Sequence, residues 1–509
     1  MTRNEIDRRR FLKLLGAAPL AASPLAALAC GGGGAAVAGR GSGPATGATV
    51  VNDVHSGLNP TRVTRVFRPR TGGDVIEAVR AATAAGRPLA IAGGRHSMGG
   101  QQFLDDGWLL DMQALSGVRH FDPENGFLTV EAGIQWPELF DFLATTWDSD
   151  GQGWGIRQKQ TGANRISIGG TLSANAHGRV LNRPPFVHDV ESFVLVDAEG
   201  VPTTVGRGQN GSLFRLGVGG YGLFGVVTEV TLRLIRRTKV RRRVMESNID
   251  EAVELLGRRA GEGHLYGDFQ FSIDASSFTG FLRRGILATY EPVPISTGIP
   301  PDQRALSPED WERMLALAHT NPGAATELYI GHYLGTDGQV YWSDLHQMAD
   351  YREGYHRSID ARIGSVGSEM ITEIYVRPEE VPAFMSAARA ILRTSEATPV
   401  VYGTVRMIEQ DEETFLPWAK RRFACIVFNL HVPRTPAGIE RAAQAFRELI
   451  DEGLERGGSF YLTYHRWATP DQVRAAYPQF EEFLRLKDSY DPHGRFQSDW
   501  YRHYRAQIR

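Results

Sequence analysis

The sequence predicts an α+β chain of two lobes, and three observations carry that expectation. At 509 residues the chain exceeds what one hydrophobic core usually supports. From Asn52 to about Arg237, short β-type runs alternate with helical segments. From about 238 to 450 the strands alternate polar and apolar residues and lie between amphipathic helices, which predicts an antiparallel sheet with helices on one face.

Taken in order, residues 1–29 read as an export signal. Arg8-Arg9-Arg10-Phe11-Leu12-Lys13 precedes an apolar stretch from Leu14 to Ala29 and resembles a twin-arginine signal. Pro19 and Pro24 count against a plain anchor helix. That signal implies handling by the twin-arginine translocase and a periplasmic or other extracytoplasmic location. Cleavage after Ala29 is the main expectation, and lipid attachment at Cys30 the lesser one. Residues 30–50 are Gly/Ala/Ser-rich and predict a flexible linker. Residues 51–237 form a first domain and 238–455 a second. Residues 456–509 are a C-terminal segment, for which the resemblance described below implies a return to the first domain.

Within the first domain, Val75, Ile76 and Val79 fall at helical spacing in TGGDVIEAVRAATAA, ahead of a strand at Leu89–Ala92. Further strands are predicted at Leu109–Asp111, Leu128–Val130 and Phe193–Val196, with a hairpin turn at Asp197–Gly200. In the second domain, strands at Val401–Met407 and Cys425–Val432 flank helices at Val381–Arg393 and Ile439–Glu455. A net charge of −2 argues against a nucleic-acid partner. The basic run RLIRRTKVRRR reads as a solvated strand edge or a connector. Cys425, in the apolar run FACIVF, reads as a buried free thiol.

Three glycine-rich segments carry the chemistry. In the first, Gly93-Gly94 end a strand, and Arg95, His96, Ser97 and Met98 lead to Gly99-Gly100. Glycines there let backbone N–H groups converge on an anion, and His96 adds a nucleophile. The combination points to a phosphate-bearing cofactor able to bond to histidine, namely FAD. The second segment, TGANRISIGGTLSANAHG, holds Gly162, Ser167, Gly169, Gly170, Ser173, Asn175, His177 and Gly178. Its small residues allow close backbone approach to a flat ring or pyrophosphate. The third, LGVGGYGLFGVVTEV, matches G-x-G-x-x-G, but the glycines precede a strand at Val226-Val227 and not a helix, which rejects a Rossmann nicotinamide site.

In order and spacing these segments resemble the vanillyl-alcohol oxidase / p-cresol methylhydroxylase (PCMH-type) family of FAD-binding oxidoreductases. The resemblance covers about residues 58–237 and, more weakly, the chain end. It implies that Gly93–Gly99 wraps the FAD pyrophosphate and that Ile168–Gly178 lines the isoalloxazine and phosphates. It also implies backbone contact between Val226-Val227 and adenine. The family's covalent subset carries a glycine followed by His-Ser, with histidine bonded to the flavin. Here His96-Ser97 match, and Arg95 stands in the place of that glycine. The doubly linked subset needs a cysteine near Ala163-Asn164, where this chain has none.

Substrate-facing groups are expected from the second domain, where Glu373 with Tyr375, Tyr402 with Thr404 and Arg406, and Asn429 with His431 share strand faces. Resemblance to polyol and aldonolactone oxidases implies Glu373 and Arg406 as the groups that position a substrate hydroxyl and assist proton removal. A structural ion pair on an outer face is the competing account. The chain end resembles decaprenylphosphoryl-ribose oxidases, in which a lysine follows YLT; here Tyr464 takes that position and joins the candidates. His465, Tyr501 and His503 are weaker ones, because an aromatic cluster joining the lobes explains them equally well. The expected activity is oxidation of a CH–OH group in a sugar-derived alcohol, polyol or lactone, with oxygen or another acceptor reoxidising the flavin. An NADPH-linked FAD reductase and a non-catalytic flavin-binding surface protein are the rival readings. No metal-ligand motif is present in the sequence, so metal ligation is not expected.

Overall fold

The computed structural model describes residues 45–146, 152–348, 356–394 and 399–508. The export signal and Cys30 lie outside the described residues. Among the described residues, no helix is long and apolar enough to cross a membrane.

Residues 45–233 build two sheets. The first, of four strands, runs Ala45–Val51, Thr61–Phe67, Trp108–Asp111, Leu89–Ala92, with an antiparallel first pair and parallel pairs after it. Ala45–Val51 corrects the expected linker, which had extended to residue 50. The β-branched Thr46, Thr49, Val50 and Val51 suit pairing with the next strand, and composition alone could not reveal that partner. The helix Gly72–Ala84 starts where expected because Thr71 caps it, accepting from Asp74 N while Asp74 returns the bond. It buries Val75, Ala78, Val79 and Ala82 against the sheet.

The second sheet is antiparallel and runs Val118–Asp122, Phe127–Glu131, Val226–Arg233, Val190–Val196, Pro202–Gly206. The strand Val226–Arg233 alternates buried and half-buried residues along its length. Its start directly after Gly225 agrees with rejecting a Rossmann helix.

Trp154–Gly155 and Ile235–Arg236 pair as a two-stranded sheet, and the largest sheet is antiparallel, with eight strands in the order Val340–Trp342, Lys239–Asn248, Arg284–Val293, Tyr266–Phe271, Val400–Ile408, Phe423–Pro433, Gly367–Val376, Ser459–Phe460. Register places Glu373 opposite Val427 and Tyr375 opposite Cys425, with Arg406 opposite Cys425 on the other side. Glu373, Tyr375, Arg406 and Cys425 therefore share one face. Met370, Ile374, Val405 and Phe428 point the other way, into a core shared with Phe384, Phe446 and Leu449 of the helices Val381–Thr394 and Pro436–Glu455.

Helices are not confined to that side. Pro308–Thr320 and Pro322–Leu334 lie over the polar face, where His319 reaches Glu369 and Arg242 lies against the Tyr333 ring. The basic run is also less exposed than expected. Arg237 is 1% exposed and donates to Asp344 at 2.9 and 3.1 Å, and Arg242 stacks among Tyr290, Tyr333 and Tyr341. Side-chain partners supplied from distant strands, invisible in a local charge count, account for both.

The chain end runs back along the first sheet. Leu89 N donates to Arg495 O, Gln497 N to Leu89 O, and Asp499 N to Phe103 O. The Gln101 amide donates to Leu462 O and Thr463 O at 2.7 and 2.9 Å.

Candidate functional site

A cleft with about 1240 Å³ of atom-free space, open solvent at its mouth included, runs between these elements. Gly93, Gly94, Arg95, His96, Ser97 and Met98 form one wall. Gly162, Ser167, Gly169, Gly170 and Ser173 contribute to another; Val227 and Gly225 also line it, as do Ile371 and Tyr464.

The first wall is an anion cradle. Arg95 adopts φ +61, the left-handed region, between residues that do not. Alternation of this kind turns successive N–H groups toward one point. Among the described residues, the N–H groups of Gly94, Arg95, His96 and Ser97 meet no acceptor. Four adjacent donors turned to a cleft are open to an acceptor from outside the chain, and a diphosphate supplies several. A glycine would hold that backbone shape without strain. Arg95 instead anchors itself by donating to Asp111 Oδ2 at 2.7 Å. A Cβ on Gly93 would lie 2.1 Å from Ser167 Oγ, and one on Gly94 2.2 Å from Arg165 O, so both glycines let the two walls close on each other.

His96 stands beside this cradle near the Arg165 backbone carbonyl, with neither ring nitrogen in full hydrogen-bond geometry. Burial, with His55 nearby, holds its pKa down to about 4, so the imidazole is neutral and its lone pair free.

Beyond Ile371 the polar face of the large sheet holds a compact network. Tyr464 lines the cleft and donates to Glu373 Oε1 at 2.6 Å. Glu373 Oε2 accepts from Tyr375 at 2.8 Å and pairs with His177 Nε2 at 2.7 Å; Cys425 Sγ lies 3.5 Å away. Burial pushes the Glu373 carboxyl up, but the His177 charge, hydrogen bonds from His177 and Tyr464, and the Arg406 charge prevail and hold it at about 2. Burial pushes the Cys425 thiol well up, so it is protonated.

Of the expected cofactor contacts, Gly99, Asn175, His177, Gly178 and Val226 lie off the cleft wall. Gly99 N donates to Gln101 Oε1. Asn175 takes φ +46 at a helix end and spends its amide on Asp411 Oδ2 and Val187 N. His177 turns to Glu373, and a Cβ on Gly178 would lie 2.4 Å from Lys159 O. Val226 faces the apolar core under the first sheet, because strand alternation gives the cleft to Val227.

Of the candidates for substrate contact, Tyr464 reaches the cleft wall, whereas Glu373 sits behind it. Arg406 donates to Thr161 Oγ1 at 2.9 Å and leaves Nε without a partner. It makes no ion pair with Glu373, and the outer-face pair is overturned, since both residues are buried on the inner face. His465 stacks on Trp467 and Phe446, and Tyr501 packs by Lys487, as an aromatic cluster would.

Lys159 went unnoticed in the sequence. It is 1% exposed, with Nζ donating to Gln160 O and Ala163 O at 2.7 and 2.9 Å. Burial, then the charges of Arg179 and Arg406, lower its pKa to about 7. Nothing in QKQTG signals that, because the burial comes from distant segments.

Residues 63–206 match the family model described as an FAD binding domain. With the unpaired donor cradle and the neutral histidine at the matched loop, that decides the cofactor. The chain carries an FAD-binding domain. It is 22% identical to the decaprenylphosphoryl-beta-D-ribose oxidase of Mycolicibacterium smegmatis over 84% of this chain and 91% of that one. An uncharacterized oxidoreductase from the fasciation locus of Rhodococcoides fascians is 31% identical over 33% of this chain and 37% of its own length. The D-arabinono-1,4-lactone oxidase of Eremothecium gossypii is 26% identical over 35% and 33%. The chain thus matches about a third of the length of the latter two relatives. The cofactor of this flavoprotein is FAD, and the Gly93–Met98 wall has the shape of a cradle for an anion.

Proposed function

We propose that this flavoprotein works as two lobes, an FAD lobe and a cap, and oxidises a CH–OH group of a sugar-derived alcohol, polyol or lactone. Bound FAD supplies the two-electron acceptor for such a reaction. The observation that carries the reading is Tyr464, on the cleft wall with its hydroxyl proton committed to buried Glu373. That commitment leaves the Tyr464 oxygen free to accept a hydrogen bond from a substrate hydroxyl and orient its carbon. Glu373 is too acidic to be the final proton acceptor. It is a fixed negative charge, held by His177 and Tyr375, that keeps the Tyr464 proton turned from the cleft. The names of the relatives, a sugar-phosphoryl lipid oxidase and a sugar-lactone oxidase, support the substrate class.

A covalent bond from His96 to the FAD belongs to the same reading, supported by the neutral imidazole on the cleft wall. Export through the twin-arginine route, supported by Arg8-Arg9, delivers the folded, loaded protein to an extracytoplasmic site. Oxygen or another acceptor reoxidises the flavin there.

Anaerobic mixing of the yellow protein with polyols, aldonolactones and NADPH tests the reaction. Bleaching by a polyol or lactone is expected. Bleaching by NADPH alone would make the protein a reductase, and no bleaching by any of them a non-catalytic flavin carrier. The bond is tested by denaturing gel: flavin fluorescence travels with the wild-type chain and is absent from His96→Ala. Fluorescence lost from both would refute the bond and leave the reaction standing.

A further inference from the structure

A second cluster of ligand-type side chains lies on the same sheet face, two residues along the strand from Ile371. We propose that His319, Glu369 and His431 form a binding site for one divalent transition-metal ion of the zinc class.

Three separate elements bring these groups together. His319 comes from the helix Pro308–Thr320, Glu369 from the strand Gly367–Val376, and His431 from the strand Phe423–Pro433, where register sets it opposite Glu369. His319 Nε2 is 2.8 Å and His431 Nδ1 3.2 Å from the same oxygen, Glu369 Oε1, and all three ligand atoms lie within 4.8 Å of one another. Atoms each about 2.1 Å from one zinc ion sit roughly 3.0–3.4 Å apart for angles between a right angle and tetrahedral. The two histidine-to-carboxylate distances are close to that, and the two histidine nitrogens lie within 4.8 Å of each other.

The donors are also oriented as ligands. His319 Nδ1 lies 2.7 Å from Leu315 O. A carbonyl only accepts, so Nδ1 carries the proton and Nε2 is left to face Glu369. Metal-bound histidines are held by such a bond from the far nitrogen to a backbone carbonyl. Two acceptor atoms 2.8 Å apart need a cation between them, either a proton or a metal. Two imidazoles and one carboxylate favour zinc, cobalt, iron or nickel over magnesium or calcium. The His319, Glu369 and His431 side chains are 2%, 1% and 9% exposed, so an ion there is shielded from competing water. Gly367 makes room for the ring, since a Cβ there would lie 2.0 Å from His431 Cε1. Its N–H is held by Asp360 Oδ1 at 2.9 Å. None of the three ligands lines the flavin cleft, so the site is separate from the cofactor cradle.

The full chain, untagged and freed of metal by chelator, is titrated with Co²⁺ and then with Zn²⁺ in competition. Binding of one ion per chain is expected, with cobalt absorption in the visible and a rise in the wild-type melting temperature as zinc increases. His319→Ala and Glu369→Gln lose the ion at least 10-fold in affinity while keeping their flavin content. Cys425→Ser keeps one ion per chain. Failure of the wild type to bind either metal at 100-fold excess would overturn the proposal and leave a shared proton between these groups. So would binding unchanged in both ligand variants, or binding abolished by Cys425→Ser, which would move the ion to His177, Glu373 and Cys425. The wild-type titration stands even where a variant fails to fold.

Discussion

Replacing Tyr464 with phenylalanine separates the chemical role of this residue from its packing role. The ring remains against Tyr461, edge-on at 5.5 Å, so cavity effects are minimal. The hydroxyl takes with it the 2.6 Å bond to Glu373 Oε1, on a side chain 2% exposed. A hydrogen bond to a charged group contributes about 1.5–3 kcal/mol. If that energy orients substrate in the transition state, the rate of flavin reduction falls roughly 10- to 150-fold at 1.36 kcal/mol per decade. Stopped-flow bleaching under anaerobic conditions reads this directly, with saturating substrate to separate the maximal rate from binding. Urea midpoints on the same preparation report the stability cost of leaving Glu373 Oε1 unpaired. A reduction rate within twofold of wild type, alongside lowered stability, would refute the role assigned to Tyr464.

Gly94→Ala forces a methyl group toward Arg165 O, 2.2 Å from its ideal position, and should cost about 1–3 kcal/mol with a lower flavin-to-protein absorbance ratio. Lys159, with its pKa lowered to about 7, makes stability climb between about pH 7 and 10.4. Below that window both folded and unfolded states hold the proton and the burial cost is felt in full. Within it the folded state has released the proton while the unfolded chain still binds one, so unfolding takes up a proton. Lys159→Met should flatten this component by a few kcal/mol, read as the difference between wild-type and variant urea midpoints across pH. Asp491→Ala strands Lys487, which is 0% exposed, and frees the N–H groups of Arg495 and Phe496; a loss of about 3–5 kcal/mol in urea unfolding is expected, partly recovered by Asp491→Asn.

What could be read from the chain differs by kind of feature. The strand Leu89–Ala92 and the helix from Gly72 were legible because alternation, a cap and glycine stops all act locally. That Glu373 and Tyr375 share a face of one strand, and Tyr402, Thr404 and Arg406 a face of another, was legible from the two-residue period; that the two faces coincide came from register. Whether that face looked outward or into the protein was not legible, because the period is the same either way. Val226 and Val227 show the same ambiguity in miniature, one residue in the core and its neighbour on the cleft. Asn175 looked like a ligand contact because it is small and polar, yet a left-handed helix end uses such a residue for itself. Lys159, and the meeting of His319 with Glu369 and His431, depend on segments far apart in sequence that no local pattern links.

The return of the C-terminal segment to Leu89 bears on when this molecule can acquire its yellow colour. Arg495 reaches back to Arg87 across 408 positions. A ribosome adding about 5–20 residues per second needs roughly 20–80 s to cover that distance. Until then the edge beside Leu89 and the turn beginning at Gly93 lack their closing partners, and Gln101 has no carbonyls from Leu462 and Thr463 to hold. A nascent chain stalled short of residue 460 is therefore expected to hold less flavin than one that includes residues 461–508, read as flavin absorbance per chain.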